Sequence, residues 1–252
     1  MGPVPTLVSL APLERERFGI QSARANGVTA ARLGEVLEFC RRERVRFLTA
    51  RCRADDLAAA HALEAAGGRL MDTLMYWEHD LVARARLERP DTPLRLAQAA
   101  DAPALERAAG EAFHDYVSHY HADPRLERAR CDAAYADWAR RACLACGPDA
   151  PMFVGEHDGA PAGFAALRLV ATEGASVGTS EGEGVLYGVA PRARGKKLYL
   201  ALMFASLDWC RERGARRMII STQLTNWVPQ QVWARLGFEP YQAHYTYHLW
   251  FD

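Results

Sequence analysis

No stretch of this 252-residue chain is apolar and long enough to span a membrane. Its first residues also lack the basic-then-apolar pattern of a secretory signal. There is no charge excess: Lys plus Arg and Asp plus Glu are both 31. A balanced chain without an acidic tail lacks the electrostatic footprint of a nucleic-acid binder. Cysteine is sparse, six residues in all, and Cys143-x-x-Cys146 has no second pair at metal spacing. No metal site is read there, and the thiols are taken as reduced and packed. Met1-Gly2 with Thr6 fits a myristoylation template, but Pro3 directly after the glycine argues against lipidation. These absences leave a cytoplasmic protein of ordinary globular composition, 50% hydrophobic and 25% charged. Its length suits one large domain or two small ones.

Periodicity switches repeatedly between helix and strand spacing. Leu33, Val36, Leu37 and Cys40 share one face, which predicts a helix over Ala30–Arg44. Val45–Cys52 reads as a strand, Asp55 or Asp56 caps a helix stopped by Gly67-Gly68, and Leu70–Val82 reads as a longer strand. Residues 85–93, Arg-rich and punctuated by Pro90 and Pro93, read as a linker between units 1–84 and 94–252. The second unit opens with a strand at Leu94–Ala97, a helix from Asp101 to Phe113 and another from Asp123-Pro124 to Cys146. Strands follow at Met152–Glu156 and Gly163–Val170, and Gly174–Gly184 is expected to be an exposed loop. Val185–Val189 and Arg217–Ser221 read as strands, with helices at Gly195–Arg213 and Val228–Leu236. A final strand at Gln242–Trp250 is expected at the sheet edge, which would suit a homodimer. The order implies an α/β (α+β) mixed sheet covered by helices. The first half repeats the ending of the second, so it reads as a shortened copy.

Gly188-Val189-Ala190-Pro191 ends a strand, and Gly195 opens a helix a few residues on. A helix start offers unpaired N–H groups and a partial positive charge, and glycine admits an anion close to the backbone. Arg192, Arg194, Lys196 and Lys197 crowd four cations there. On this segment alone a solvated corner and a phosphate site weigh equally. Arg192-x-x-Gly195 does not stand alone, however. With the helix over Leu198–Gly214, Ser221-Thr-Gln-Leu-Thr-Asn226 and Val232-Trp-Ala-Arg-Leu-Gly-Phe238, it resembles the GNAT superfamily of acyl-CoA N-acyltransferases. The likeness covers Leu94–Asp252. A narrower one adds Leu13–Ser22, the truncated first half and Thr222-Gln223. It is to the TDP-fucosamine acetyltransferase branch, which acetylates the 4-amino group of a nucleotide-linked deoxysugar.

The resemblance implies a GNAT fold preceded by a shortened GNAT-like half, with acetyl-CoA or another acyl-CoA as co-substrate and a small-molecule amine as acceptor. It places the pantetheine arm between the splayed strands Val185–Val189 and Arg217–Ser221. Val189 N–H would polarise the acyl carbonyl, and the backbone of Arg194, Gly195, Lys196, Lys197, Leu198 and Tyr199 would hold the pyrophosphate, with Arg192 beside it. Asn226 is counted with both the cofactor-binding and the catalytic residues. Lys197 departs from the family's small residue at that loop position. The family's thiolate-protonating tyrosine falls on Trp233, whose indole is not a practical proton donor. Tyr199 and Tyr187 are the nearest alternatives. Glu183 and the segment His114–His121, with Tyr116, His119, Tyr120 and His121, are candidates for binding the acceptor and taking its proton. The same segment also reads as a polar loop with aromatic packing. The four cations would equally suit an acyl carrier protein as donor in a tailoring pathway. Loss of the family tyrosine would suit a sensor that binds acyl-CoA without transferring it.

Overall fold

A computed structural model describes residues 6–84, 90–171 and 180–251. Met1-Gly2, linker residues 85–89 and loop residues 174–179 lie outside the described residues. The first half runs β1 (Val8–Leu10), α1 (Pro12–Phe18), β2 (Ser22–Ala25), α2 (Leu33–Arg42), β3 (Phe47–Arg53), α3 (Leu57–Ala65) and β4 (Arg69–Asp80). The second runs β5 (Leu94–Leu96), α4 (Ala102–Ala112), α5 (Arg128–Leu144), β6 (Met152–His157), β7 (Ala160–Ala171) and β8 (Ser180–Val189). It ends with α6 (Leu198–Glu212), β9 (Arg217–Gln223), α7 (Trp227–Arg235) and β10 (Glu239–Trp250). No helix among the described residues is long and apolar enough to cross a membrane.

All ten strands form one mixed sheet in the order β1-β2-β3-β10-β4-β9-β8-β7-β6-β5. Its centre is an exchange of last strands. β10 pairs antiparallel with β3, β4 pairs antiparallel with β9, and β10 and β4 pair with each other. His244 lies opposite Arg53, Leu74 lies opposite Gln223, and His244 and Leu74 face one another. The register is therefore two-fold symmetric about the His244–Leu74 pair. This corrects the expectation of an edge strand at Gln242–Trp250, since the edges are β1 and β5. The physical reason is burial on both faces, the mark of a central strand. Tyr247 and Leu249 are buried on one side of β10, and Thr246 and His248 on the other.

Three further boundaries differ from the sequence pattern. α6 starts at Leu198, not Gly195, because Gly195 (φ +76°) and Lys197 (φ +60°) take left-handed backbone that cannot belong to a right-handed helix. α5 starts at Arg128: Asp123 Oδ1 accepts from Arg125 N–H in a separate turn before the helix, while its Oδ2 is taken by His248 and Trp250. Residues 180–184, expected in a loop, are strand. A Cβ at Gly182 would meet Cys210 and one at Gly184 would meet Ile220, so the glycines admit α6 and β9 close to β8. Helices α2 and α3 cover the first-half core, where Val36, Leu48 and Leu63 are fully buried. Met203, Leu207 and Trp233 anchor the core beneath α6 and α7. Burying each such side chain contributes about 1.5–3 kcal/mol.

Candidate active site

β8 and β9 run parallel but pair only at Gly182–Met218, Glu183–Ile219 and Gly184–Ile220. Directly after, the β7 register shifts between Ala166–Leu186 and Leu167–Gly184, which leaves Val185 as an extra residue in β8. Such a bulge bends and twists its strand, so β8 leaves β9 at Val185. Further on, Ala190 N–H donates to Ala162 O at 2.8 Å. Antiparallel partners alternate between bonded and non-bonded pairs. Val189, opposite Gly163, is then a non-bonded position whose N–H faces away from β7, into the gap. The first half opens no such gap. All of β2 pairs with β3, and Val28 N–H closes onto Arg51 O at 2.9 Å.

The chain next turns through Pro191–Ala193 into α6. The first bond of that helix is Ala201 N–H to Lys197 O, 3.0 Å. Among the described residues, the backbone N–H groups of Gly195 through Leu200 have no acceptor. They form a string of donors at a positive helix end, facing the gap. Gly155 and Gly163 lock this start, for a Cβ on either would strike Leu198. The four cations divide. Lys197 and Arg194 line the cleft, and Arg194 also donates to Ala112 O (3.2 Å) and Val189 O (3.4 Å). Arg192 instead pairs with Glu111 and donates to Pro161 O at 2.9 Å. Lys196 Nζ sits 2.5 Å from His157 Nε2. Lys196 and Lys197 are the chain's two lysines.

A cleft of about 1940 Å³ runs from this loop, past the splay, to the first half. Tyr199, on the first turn of α6, accepts a hydrogen bond from Trp233 Nε1–H at 2.9 Å, so its own proton stays uncommitted. Tyr187 donates its proton to Ser206 Oγ at 2.8 Å, which passes one to Leu202 O at 2.7 Å. Burial pushes both phenols well above their ordinary pKa. Asn226 Nδ2 donates to Thr222 Oγ1 at 2.8 Å, and Asn226 O accepts from Gln230 at 3.0 Å. Glu183 lines the cleft, bonded to Arg168 Nε at 2.6 Å.

The histidine segment separates into two roles. His121, 2% exposed in its side chain, accepts from Ser118 N (3.0 Å) and contacts Ser118 Oγ (2.8 Å) and Asp132 (3.0 Å). It holds the loop together and does not line the cleft. His119 does line it. His119 Nδ1 is 2.9 Å from His248 Nε2, and His248 Nδ1 is 2.7 Å from Asp123 Oδ2. A carboxylate only accepts, so His248 Nδ1–H must donate to Asp123. His248 Nε2 then accepts from His119 Nδ1–H, which leaves His119 Nε2 as a lone pair. Trp250 Nε1–H, 2.9 Å from the same Asp123 oxygen, and Arg125 N–H, at 3.0 Å, help keep that carboxyl ionised and its pKa low. Burial drives the His119 pKa well below 6.5. Tyr116 and Tyr120 also line the cleft, and Tyr120 OH donates to Glu14 at 3.0 Å. All six thiols are free, and burial pushes Cys143 up to about 11 as it donates to Gln98 O at 3.2 Å.

Residues 111–238, half of the chain, match the model of the acetyltransferase (GNAT) family. The chain belongs to the GNAT family. It is 24% identical over 210 residues to the spore coat polysaccharide biosynthesis protein SpsD of Bacillus subtilis (strain 168), covering 81% of this chain and 66% of that protein. It thus spans just under two thirds of that relative. A GCN5-related N-acetyltransferase from Sphaerobacter thermophilus superposes at TM-score 0.61, 16% identical, over 96% of this chain and 76% of that one. A tandem GNAT protein from the clavulanic acid biosynthesis pathway superposes at 0.57, 19% identical, over 92% and 76%. At these identities the two structures speak for the fold, a mixed α/β GNAT fold in a tandem-like layout.

GNAT membership implies acyl-CoA as co-substrate, and the residues here fit one. An outward-facing Val189 N–H, a string of free donors at the start of α6 and Lys197 in the cleft match a thioester, a pyrophosphate and its charge. Sequence reasoning missed the first half's part in the cleft. Arg17, Arg24, Arg51, Asp72 and Tyr76 all line it. Asp72, Leu74 and Tyr76 alternate along β4 and so share a face. That period was readable, but only the strand exchange says what the face looks at.

Proposed function

We propose that this GNAT protein is an N-acyltransferase that moves an acyl group, acetyl in the first instance, from acyl-CoA to the amine of a small molecule. The observation that carries the reading is the bulge at Val185. It opens β8 from β9, turns Val189 N–H inward and lies beside a helix start with free donors. Polysaccharide synthesis is named for the relative SpsD, and the nucleotide-amino-sugar branch shares this layout of a shortened half before a complete one. Both favour an amino-sugar nucleotide as acceptor. We keep 1–84 and 94–252, joined by 85–93, as the two units of that layout.

In this reading the amine nitrogen attacks the thioester carbonyl, the N–C bond forms and the C–S bond breaks. Val189 N–H donates to the carbonyl oxygen as it gains charge. His119 Nε2 receives the amine proton, and His248 and Asp123 orient its ring and stabilise the resulting imidazolium. Tyr199 gives its uncommitted proton to the leaving thiolate and regains one from solvent, with Trp233 fixing the hydroxyl. Tyr187, its proton held by Ser206, takes no part in transfer. Glu183, paired with Arg168, flanks the acceptor.

Two measurements test this. Acetyl-CoA should raise the melting temperature and bind saturably by calorimetry. Because the chain has only two lysines, amine-directed labelling with peptide mapping should report Lys196 and Lys197, and acetyl-CoA should protect Lys197 more than Lys196. Absence of binding ends the proposal. Tight binding without transfer to any amine of a broad panel leaves a sensor instead.

A further inference from the structure

The end of the cleft far from the α6 loop carries charge that acyl-CoA binding does not use. Arg17 comes from α1, Arg24 from β2 and Arg51 from β3, and all three line it. Arg24 lies opposite Thr49, two residues before Arg51, so alternation puts Arg24, Thr49 and Arg51 on one face. Their partners are few. Arg51 Nε reaches Thr246 Oγ1 at 3.3 Å, and no ion pair to it is found among the described residues. Arg24 pairs with Glu14, while its Nε–H is buried without an acceptor. Arg17, 10% exposed in its side chain, makes a long 3.4 Å contact to Asp137, an aspartate already shared with Arg140 and Arg141. Its Nε–H is buried and unpartnered as well.

Buried donors without acceptors are costly, about 1–3 kcal/mol each. A site that keeps two of them beside an unpaired guanidinium is built for oxygen atoms arriving from elsewhere. Three planar forks meet two carboxylates, Glu14 on Arg24 and Asp137, which Arg140 and Arg141 already engage, so the donors left over suit a dianionic oxyanion better than a single carboxylate group. Nearer the splay, Asp72 accepts from Gln223 at 2.9 Å through one oxygen, and its other oxygen is buried with no partner. An acceptor lying along this floor would meet cations first, then a free carboxylate oxygen, then the gap.

We infer that Arg17, Arg24 and Arg51 form an anion site for the acceptor, so that the amine substrate carries a phosphate or diphosphate at the end remote from its amine. Asp72 receives a hydroxyl or the incoming ammonium between the two. The inference rests on the N-acyltransferase reading for the direction in which the acceptor lies. It gives the shortened half a task in place of the loop and gap it lacks.

The experiment uses the full chain saturated with CoA, which fills the α6 donors and leaves the arginine end open. Inorganic pyrophosphate, thymidine diphosphate, glucosamine 1-phosphate and succinate are titrated by calorimetry against wild type, Arg51→Gln and Arg24→Gln. Saturable binding of pyrophosphate to the CoA-loaded wild type is expected, weakened roughly tenfold or more in each variant, with CoA affinity unchanged. Tighter binding of thymidine diphosphate than of glucosamine 1-phosphate assigns a nucleotide-linked acceptor, and the reverse assigns a sugar phosphate. No phosphate binding to the CoA-loaded wild type overturns the inference, as does equal binding by CoA-competent variants, or a preference for succinate. Loss of CoA binding by the wild type is a separate failure, that of the transferase reading. A variant that loses CoA affinity is replaced by Arg51→Lys, for which a partial loss of pyrophosphate affinity is expected and none overturns the inference.

Discussion

Replacing Tyr199 by Phe removes one oxygen and should produce two separable effects. The first is structural. Trp233 is 2% exposed and its indole N–H has Tyr199 OH as acceptor at 2.9 Å. Without that oxygen the N–H is buried and unpaired, at about 1–3 kcal/mol. For a chain of this size each kcal/mol lowers Tm by about 2–4 °C, so Tyr199→Phe should melt a few degrees below wild type. The second effect is chemical. Losing a positioned general acid costs about 10²–10⁴-fold in rate, read as kcat by following free CoA thiol, with acetyl-CoA affinity unchanged. Trp233→Phe makes the contrast. It forfeits packing and the aim of the hydroxyl but keeps the proton, so it should lose more Tm and less kcat. Placing a phenol on α7, as Trp233→Tyr in the Tyr199→Phe background, should recover part of the rate. The reasoning fails if Tyr199→Phe melts lower yet keeps kcat within about threefold of wild type. The hydroxyl would then be only an acceptor for Trp233.

Burial holds the folded-state pKa of His119 below its unfolded 6.5, as do the charges of His248, Arg51, Arg24 and His121. Its contribution to stability is therefore present above pH 6.5 and lost as pH falls below it. Tm should drop between about pH 7 and pH 5, and His119→Gln should flatten that slope. His248→Gln and Asp123→Asn should lower kcat and move its acid limb while leaving acetyl-CoA affinity intact, a pattern that packing loss alone would not give. Tyr199 has the opposite sign: its raised pKa gives stability that is full below about pH 10 and lost at higher pH. Gly163→Ala puts a methyl 2.8 Å from Leu198 Cδ2 and 3.0 Å from Cγ. Overpacking of this kind costs about 1–3 kcal/mol, and acetyl-CoA affinity should fall with Tm because Leu198 sets the helix start. Residues 94–252 expressed alone leave β10 without β3 and β9 without β4, so broadened amide dispersion and loss of a cooperative melt are expected.

Much of the chain was legible in both halves where its signals are local. Leu33, Val36 and Cys40 at helical spacing, and Arg192-x-x-Gly195 before a long apolar helix, declare themselves within a few residues. That pattern predicts unpaired donors at a helix start but sets the start at Gly195, whereas the left-handed Gly195 and Lys197 move it to Leu198. What could not be read locally was which cations face inward. Arg192 and Arg194 are chemically alike in sequence, and it is Glu111 on α4 together with Pro161 O that hold the Arg192 guanidinium. His119 and His121 differ for the same reason, one meeting His248 across the sheet and the other Asp132 on α5. The bulge had a readable cue in Gly182, Gly184 and Val185, yet Gly- and Glu-rich composition suggested a loop. Glycine there serves close packing against Cys210 and Ile220, a demand set by tertiary structure.

The exchange of β4 and β10 explains why a half without a cofactor gap is still part of the site. β10 brings Thr246 opposite Arg51 and His248 opposite Thr49, while β4 brings Asp72 opposite Thr246 on its other side. Arg51, Thr246 and Asp72 thereby form one row across three strands on the cleft floor. A one-residue slip of β10 would send Thr246 and His248 to the opposite face and break the row between Arg51 and Asp72. The slip would also draw Tyr247 and Leu249 out of the first-half core, where each is 1% exposed. Hydrophobic burial on one face of β10 thus fixes the polar row on the other. His248, carried on that strand, reaches His119 from the second half and stands beside Thr49 from the first. Proton transfer at the amine and recognition of the acceptor's far end are in this way set by one register. A substitution that loosens the first-half core should therefore reach the reaction through His248, with no contact of its own to acyl-CoA.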